Sequence, residues 1–176
     1  MAKVYFSSGS NQGDRLDWLL RAAKHIDQMV GNILRVSPVV ESEPWGFDAE
    51  TKFYNQVLLV ETELTPHQVL NAILDIEKTL GRIRSGATYS SRNIDIDILF
   101  YEEVKIDEAS LKIPHPLLYK REFVLVPLAF VAPDLVHPLF QMSISGLLTQ
   151  LGNSSKVKVV SGANEFTELL KTTKLN

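Results

Sequence analysis

Asp95 and Asp97 stand with one residue between them in the apolar run Asp95-Ile96-Asp97-Ile98-Leu99. In a β-strand successive side chains alternate faces, so both carboxylates share one face while Ile94, Ile96 and Ile98 turn the other way, toward a core. Like charges on one strand face repel, and a largely buried strand is a costly place for them. A cation must share that face. Two sources are open. One is a hard cation such as Mg2+, which carboxylate oxygens hold while leaving coordination positions for substrate phosphates. The other is a structural salt-bridge network with the nearby Arg82, Arg84 and Arg92.

Those arginines lie in the segment 81–92, between and beyond Gly81 and Gly86. A guanidinium fork matches phosphate oxygens two at a time, and the glycines would let the segment fold over a ligand. A solvated basic loop balancing Asp95 and Asp97 reads the same way, and both can hold, because cations beside carboxylates are also cations beside a bound polyphosphate. Of the four histidines, His25 and His67 read as surface helix residues and His137 as a loop residue. His115 differs: Pro114 and Pro116 fix its backbone, so its imidazole can be aimed at little entropic cost. Phe53 and Asn55 share a strand face, and Phe123 follows closely on Arg121. An aromatic ring beside an amide suits a planar heterocycle, one stacking and the other bonding its edge, although core packing is the commoner fate of such a pair.

Signatures that would direct the chemistry elsewhere are missing: no phosphate-binding G-x-x-x-x-G-K-[ST], no G-x-S-x-G, no H-E-x-x-H and no dinucleotide fingerprint. The 176 residues suit one domain with a real core. A net charge of −3 argues against a broad nucleic-acid partner. The absence of cysteine removes disulfides, thiolate metal sites and thiol nucleophiles, and fits a reducing compartment. No apolar run reaches membrane-spanning length, and residues 1–5 lead directly into an apolar strand with no leader-like stretch. The expectation is a soluble, cytoplasmic protein with no membrane and no nucleic-acid partner, monomeric in solution.

The elements that must position these residues alternate along the chain. Residues 3–7 read as a first strand. Asn11 is expected to cap a helix whose apolar positions run Leu16, Leu19, Leu20, Ala23, Ile26 and Val30, with Gly31 as its stop. Residues 33–41 alternate as a second strand and 53–63 as a third, joined by a loop over 42–52. Thr65-Pro66 opens a second helix with Val69, Leu70, Ile73, Ile76 and Leu80 on one face. After the polar segment comes the acidic strand, 93–101. Residues 121–131 read as helical despite Pro127, and 144–151 as a short helix. The order β-α-β-β-α-β predicts an α+β, ferredoxin-like core: an antiparallel sheet with helices packed on one side.

The residues also resemble a known family. Arg92-Asn93-Ile94-Asp95-Ile96-Asp97-Ile98-Leu99 is similar to the R-x-x-D-[aliphatic]-D-[aliphatic]-[aliphatic] signature of the 6-hydroxymethyl-7,8-dihydropterin pyrophosphokinases. Gly9-Ser10-Asn11, Glu43-Pro44-Trp45-Gly46, Phe53-Tyr54-Asn55, Gly81-Arg82-Ile83-Arg84, Ile113-Pro114-His115-Pro116 and Arg121-Glu122-Phe123-Val124-Leu125 follow in the family's order. The resemblance covers residues 1–151, read as the pyrophosphokinase domain. Residues 152–176 form a C-terminal tail outside the pattern, with no function assigned.

The resemblance implies transfer of pyrophosphate from ATP to the hydroxymethyl oxygen of 6-hydroxymethyl-7,8-dihydropterin, releasing AMP, on the route to folate. It implies two Mg2+ ions on Asp95 and Asp97, with Arg82, Arg92, Asp95 and Asp97 as the catalytic set. ATP contacts fall on Arg82, Arg84, Arg92, Ile98, His115 and Arg121, with Glu77, one turn before Gly81, as a further candidate. Phe53 and Phe123 would sandwich the pterin, and Asn55 with Ser42, Glu43 and Trp45 would read its edge. The chain departs from the family pattern at Thr88, Tyr89, Ser90, Ser110 and Pro116, all in the region expected to meet adenosine or form the lid. The implied chemistry is attack by a primary alcohol on the β-phosphorus, driven by alignment and charge neutralisation, with the loops 42–52 and 82–91 closing over the site. Asp97 could also take the hydroxyl proton, weakly, since a metal-bound carboxylate is a poor base. Two other classes share parts of the pattern. A palm-type nucleotidyl transferase would want a basic groove, and an RNA-binding module of this fold would want an aromatic RNP-like strand, which the sequence lacks.

Overall fold

A computed structural model of the chain describes residues 1–81, 92–152 and 156–175. Its elements, in order, are β1 (Ala2–Ser10), α1 (Arg15–Met29), β2 (Asn32–Val36), β3 (Val39–Ser42), β4 (Phe53–Thr62), α2 (Pro66–Thr79), β5 (Asp95–Tyr101), the two-residue strands β6 (Ile106–Asp107) and β7 (Lys112–Ile113), a 3-10 turn (Leu118–Lys120), α3 (Glu122–Val131), the two-residue strands β8 (Val136–His137) and β9 (Met142–Ser143), α4 (Ile144–Leu151), β10 (Lys158–Ser161) and α5 (Ala163–Thr172).

The main sheet is antiparallel throughout, in the order β10-β3-β4-β1-β5, with β2 pairing the other half of β4. With β2 and β3 counted as one interrupted strand, this is the ferredoxin-like arrangement expected from the element order. The interruption corrects the single strand expected over 33–41. Pro38 has no N–H to give the ladder, and Ser37 takes over: its N–H donates to the Val57 carbonyl at 2.9 Å and its Oγ accepts the Val57 N–H at 2.9 Å. The strand bends there without orphaning a buried backbone group.

Each face of the sheet carries its own core. On one face α1, α2 and α5 pack Leu19, Ala23, Ile26, Val69, Ile73, Ile76 and Phe166 against Val4, Phe6, Leu58, Val60, Ile94, Ile96 and Ile98. On the other, α3 and α4 cover Tyr5, Val57, Leu59, Leu99 and Phe100 with Val124, Leu125, Leu128, Ile144 and Leu147. Helices on one side only was too simple an expectation: α3 is apolar nearly all round, and such a helix needs a second buried surface. A register shift between β1 and β5 lets Leu99 and Phe100 both serve this second core.

The helix ends explain the sequence signals, with one exception. Thr65 and Gln68 form a reciprocal capping box and Pro66 opens the first turn of α2. Gly81 leaves that helix at φ +79°, a left-handed conformation that favours glycine. The expected Asn11 cap is not the cap: Asp14 accepts the Asp17 N–H at 3.1 Å and starts α1 instead. His137, expected in a loop, is buried in the β8–β9 hairpin between Phe100 and Phe140.

The tail folds back onto the body. β10 pairs with β3, and Phe166 of α5 is fully buried in the first core.

Candidate active site

The second core does not cover the whole face of the sheet. Where α3 begins, at Arg121 and Glu122, the strands run on uncovered, and a cleft of about 320 Å³ opens over them. Its floor follows from strand register. Asn55, Gly9 and Asp95 lie side by side on β4, β1 and β5, and Val57, Ser7 and Asp97 form the next row. Asn55 and Asp95 are therefore two inter-strand spacings apart, about 10 Å. Gly9 keeps the space between them clear: a Cβ there would stand 3.0 Å from Asn55 Oδ1. Ser7 and Gly9 as floor residues were not read from the sequence; only their register across three strands reveals them.

One end of the cleft is aromatic. Phe53, Trp45 and Phe123 line it, together with Phe47, which no motif singled out and which meets Phe53 edge to face at 6.0 Å. Asn55 is 3% exposed and its Nδ2 donates to Ser42 Oγ at 2.9 Å, so the amide is held in one orientation. Glu43 lines the same end and pairs with Lys52 at 2.7 Å. The guanidinium of Arg121 lies 4.9 Å from the Trp45 ring centre and 5.9 Å from that of Phe123, bridging the aromatic end to the charged one.

The charged end holds Arg92, Asp95, Asp97, His115 and Arg121. Arg92 Nη1 pairs with Asp95 Oδ2 at 2.9 Å, and Arg121 Nη1 stands 3.7 Å from Asp97 Oδ2. The Nε atoms of Arg92 and Arg121 are buried with no hydrogen-bond partner among the described residues. Asp97 is ringed by protein yet its side chain remains 36% open to the cleft. Burial first, then repulsion from Asp95 and Glu77, pushes its carboxyl up to about 7 against the pull of Arg121 and Arg92. Burial and the neighbouring Arg121 hold the His115 imidazole down to about 4, so it is neutral at pH 7. Its Nδ1 accepts the Leu117 N–H at 3.2 Å, which leaves the proton on Nε2, 3.8 Å from Asp97 Oδ2.

A second cleft, of about 530 Å³, adjoins the first and shares Asp95, Asp97, His115 and Pro116 with it. Leu70, Leu74, Ile98, Ser110 and Leu111 are among its walls, so Ile98 and the departing positions Ser110 and Pro116 meet in one place. Glu77 is placed differently from what its position before Gly81 suggested. It lines neither cleft, is 2% exposed, and accepts the Ile96 N–H at 2.8 Å from beneath β5, between the two aspartates. Arg82, Arg84, Thr88, Tyr89 and Ser90 lie outside the described residues.

The donor set fits a hard cation that is completed by its substrate. Two carboxylates share a face, and burial together with repulsion from its neighbours drives one carboxyl upward. Among the described residues no group of three or more His, Cys, Asp or Glu forms a closed cage. Asn11 ties the cleft's two flanks together. Its Oδ1 accepts the Arg92 N–H at 2.8 Å, its own N–H donates to the Arg92 carbonyl at 3.2 Å, and its Nδ2 reaches the Thr51 carbonyl at 3.4 Å.

A ferredoxin-like sheet bearing paired carboxylates, arginines and an aromatic slot is suited to setting an anionic ligand beside a flat ring. The family model described as 7,8-dihydro-6-hydroxymethylpterin-pyrophosphokinase (HPPK) matches residues 5–133, and the chain belongs to that family. It is 40% identical over 141 residues to the 2-amino-4-hydroxy-6-hydroxymethyldihydropteridine pyrophosphokinase of Aquifex aeolicus, covering 80% of this chain and 87% of that one. It is 43% identical over 141 residues to the protein of the same name from Porphyromonas gingivalis, covering 78% and 95%. Among solved structures, wild-type HPPK-DHPS of Plasmodium falciparum superposes with a TM-score of 0.71 at 15% identity. The match covers 90% of this chain and 48% of that one, a likeness of fold to about half of a longer protein.

Proposed function

We propose that the protein transfers the pyrophosphoryl group of ATP to the hydroxymethyl oxygen of 6-hydroxymethyl-7,8-dihydropterin, releasing AMP, and so serves folate biosynthesis. The observation that carries this reading is the Asn55–Gly9–Asp95 row, which sets a slot for a flat ring beside a carboxylate pair. The pterin lies between Phe53 and Phe123, its edge read by Asn55 and by the chain at Ser42, Glu43 and Trp45. ATP occupies the second cleft, with adenosine near Ile98 and the phosphates running toward Arg92, His115 and Arg121. Arg82 and Arg84 belong to the same proposal. Glu77 acts from below, holding the Ile96 N–H and with it the spacing of the aspartates.

The new bond joins the hydroxymethyl oxygen to the β-phosphorus. The bond that breaks runs from that phosphorus to the bridging oxygen, which departs with AMP, and the hydroxyl proton is lost to solvent. Asp95 and Asp97 would hold two Mg2+ ions, which when bound neutralise the triphosphate and polarise its phosphoryl oxygens. Arg92 and Arg121 offer guanidinium donors to charge that grows on the phosphate oxygens. His115, neutral with Nε2–H turned to the cleft, donates without adding a charge. Its protonated form is confined to acid, so this donor is unchanged across pH 6–8. Rate comes from alignment of the two ligands across adjoining clefts, with no covalent enzyme intermediate.

Residues 1–151 form the catalytic unit in this proposal and 152–176 its support. A cytoplasmic monomer belongs to the same reading; the sequence has no cysteine, which fits a reducing compartment. Incubation with ATP, Mg2+ and the pterin alcohol should yield AMP and pterin pyrophosphate in equal amounts. AMP without a phosphorylated pterin, or no turnover at all, would overturn the assignment. A rate that saturates at one Mg2+ per ATP would overturn the two-ion part alone.

A further inference from the structure

The wall of the heterocycle slot that carries Glu43, Trp45 and Phe47 is the segment 43–52, and something must fix it over Asn55. The segment leaves the sheet at Ser42, the end of β3, and returns at Phe53, the start of β4, on adjacent strands. On the opposite side of the sheet, turned toward α1, one side chain touches both of its stems. Arg15 Nη1 donates to Glu41 Oε2 at 3.2 Å and to the Lys52 carbonyl at 2.8 Å. Its guanidinium lies 3.8 Å from the centre of the Tyr54 ring, and Tyr54 is the cross-strand partner of Glu41. Arg15 is also the first residue of α1, a helix anchored through Leu19, Ala22, Ala23 and Ile26, all fully buried. A partly exposed ion pair alone contributes little. Here the carbonyl and the aromatic face make a three-point contact between a rigid helix and the base of a binding segment.

We propose that Arg15 is a positioning residue for the heterocycle slot: by tying Glu41 and Lys52 together from behind the sheet, it holds the 43–52 segment at the height the flat ligand requires. The clamp deepens the pyrophosphokinase reading and rests on it for the identity of the ligand, though not for the clamp itself. It acts by preorganisation, so its loss falls on the ligand that the segment covers and spares the nucleotide. Nothing in the family motifs points to this residue; its role emerges only when both stems of the segment are placed in space.

Trp45 rides on the segment and Trp18 is the only other tryptophan, so Trp18→Phe makes Trp45 the single emitter. In that background Arg15→Ala should raise acrylamide quenching of Trp45 by about twofold or more. It should weaken binding of 6-hydroxymethyl-7,8-dihydropterin about tenfold at saturating nucleotide analogue, while the analogue itself binds within about twofold of the parent. Arg15→Lys should recover most of both effects, since an ammonium can reach the two oxygens but has no planar face for Tyr54. A merely structural arginine would lower the melting temperature and leave the quenching and the ratio of the two affinities where they were. That outcome overturns the proposal, as does an equal loss for both ligands. Should Arg15→Ala fail to fold, Glu41→Ala removes one of the three contacts and must move the same two readouts in the same direction by less; no movement overturns the clamp. If the parent protein fails to bind the pterin alcohol, the pyrophosphokinase reading falls, and the quenching comparison decides the clamp by itself.

Discussion

With its carboxyl pushed up to about 7, Asp97 keeps in the ligand-free folded chain a proton that the unfolded chain gives up near its ordinary value of 3.8. The folded state binds the extra proton between those values, so this contribution to stability is complete below pH 3.8 and is lost as pH rises through about 7. Melting temperatures of the parent minus those of Asp97→Asn should therefore fall steadily from pH 4 to pH 8. A flat difference would mean that Asp97 is not perturbed. At pH 8 the variant should melt higher than the ligand-free parent and lose more than about 100-fold in turnover, because the carboxylate that repels in the empty site is the one the cation needs. Asn55→Ala should cost about 1–2 kcal/mol in pterin binding, with ATP binding unchanged; calorimetry showing equal losses would make Asn55 structural. Arg92→Lys should keep the charge beside Asp95 and barely shift the melting temperature, yet lower the single-turnover rate, since a point charge cannot replace a fork. A large stability loss at normal rate would reduce Arg92 to a counter-ion. At this scale the structure brings Asp95, Asp97, Arg92, Asn55 and His115, all singled out by the motifs, into one cleft. Ser7, Phe47 and Arg15 escaped because each matters through a neighbour on another element, which no spacing within one segment encodes.

Elements were legible wherever period and punctuation agreed. The acidic strand and α2 show it: the first alternates Ile94, Ile96 and Ile98 inward without exception, and the second carries a cap, a proline and a glycine where a helix wants them. The second strand read as continuous because Ser37-Pro38 interrupts hydrogen bonding without interrupting the apolar pattern. Ser37 is the repair: its hydroxyl accepts the buried Val57 N–H at 2.9 Å. Ser37→Ala should destabilise the protein by about 1–3 kcal/mol in urea melts, with both ligand affinities preserved. No loss of stability would show that the bend needs no such repair. Asn11 was read as a cap by its type, when Asp14 three residues on does that work and frees Asn11 to join Thr51 to Arg92. Both are good cap residues, so local chemistry does not choose between them; tertiary contacts do.

For the molecule as a whole, the ferredoxin-like order was in the sequence, but the second helical layer and the fate of the tail were not. The layer depends on α3, which buries Val124, Leu125, Leu128 and Val131 against the sheet while Phe130 stays exposed. The tail depends on one aromatic, Phe166, fully enclosed among residues of α1, β2 and their neighbours. Phe166→Ala should cost about 3–5 kcal/mol, visible as an early unfolding transition. A variant as stable as the parent would mean that residues 152–176 are an appendage. The strand order has a further consequence, for synthesis. β1 is made first yet lies in the middle of the sheet, and its two partners, β4 and β5, are complete only at Thr62 and Tyr101. Until Tyr101 has left the ribosome one edge of β1 stays bare, and Glu41 waits still longer for Lys158. Such long-range pairing is slow and leaves apolar edges open to other chains. The cleft draws on residues from Ser7 to Phe123, so it cannot take shape until most of the chain has emerged.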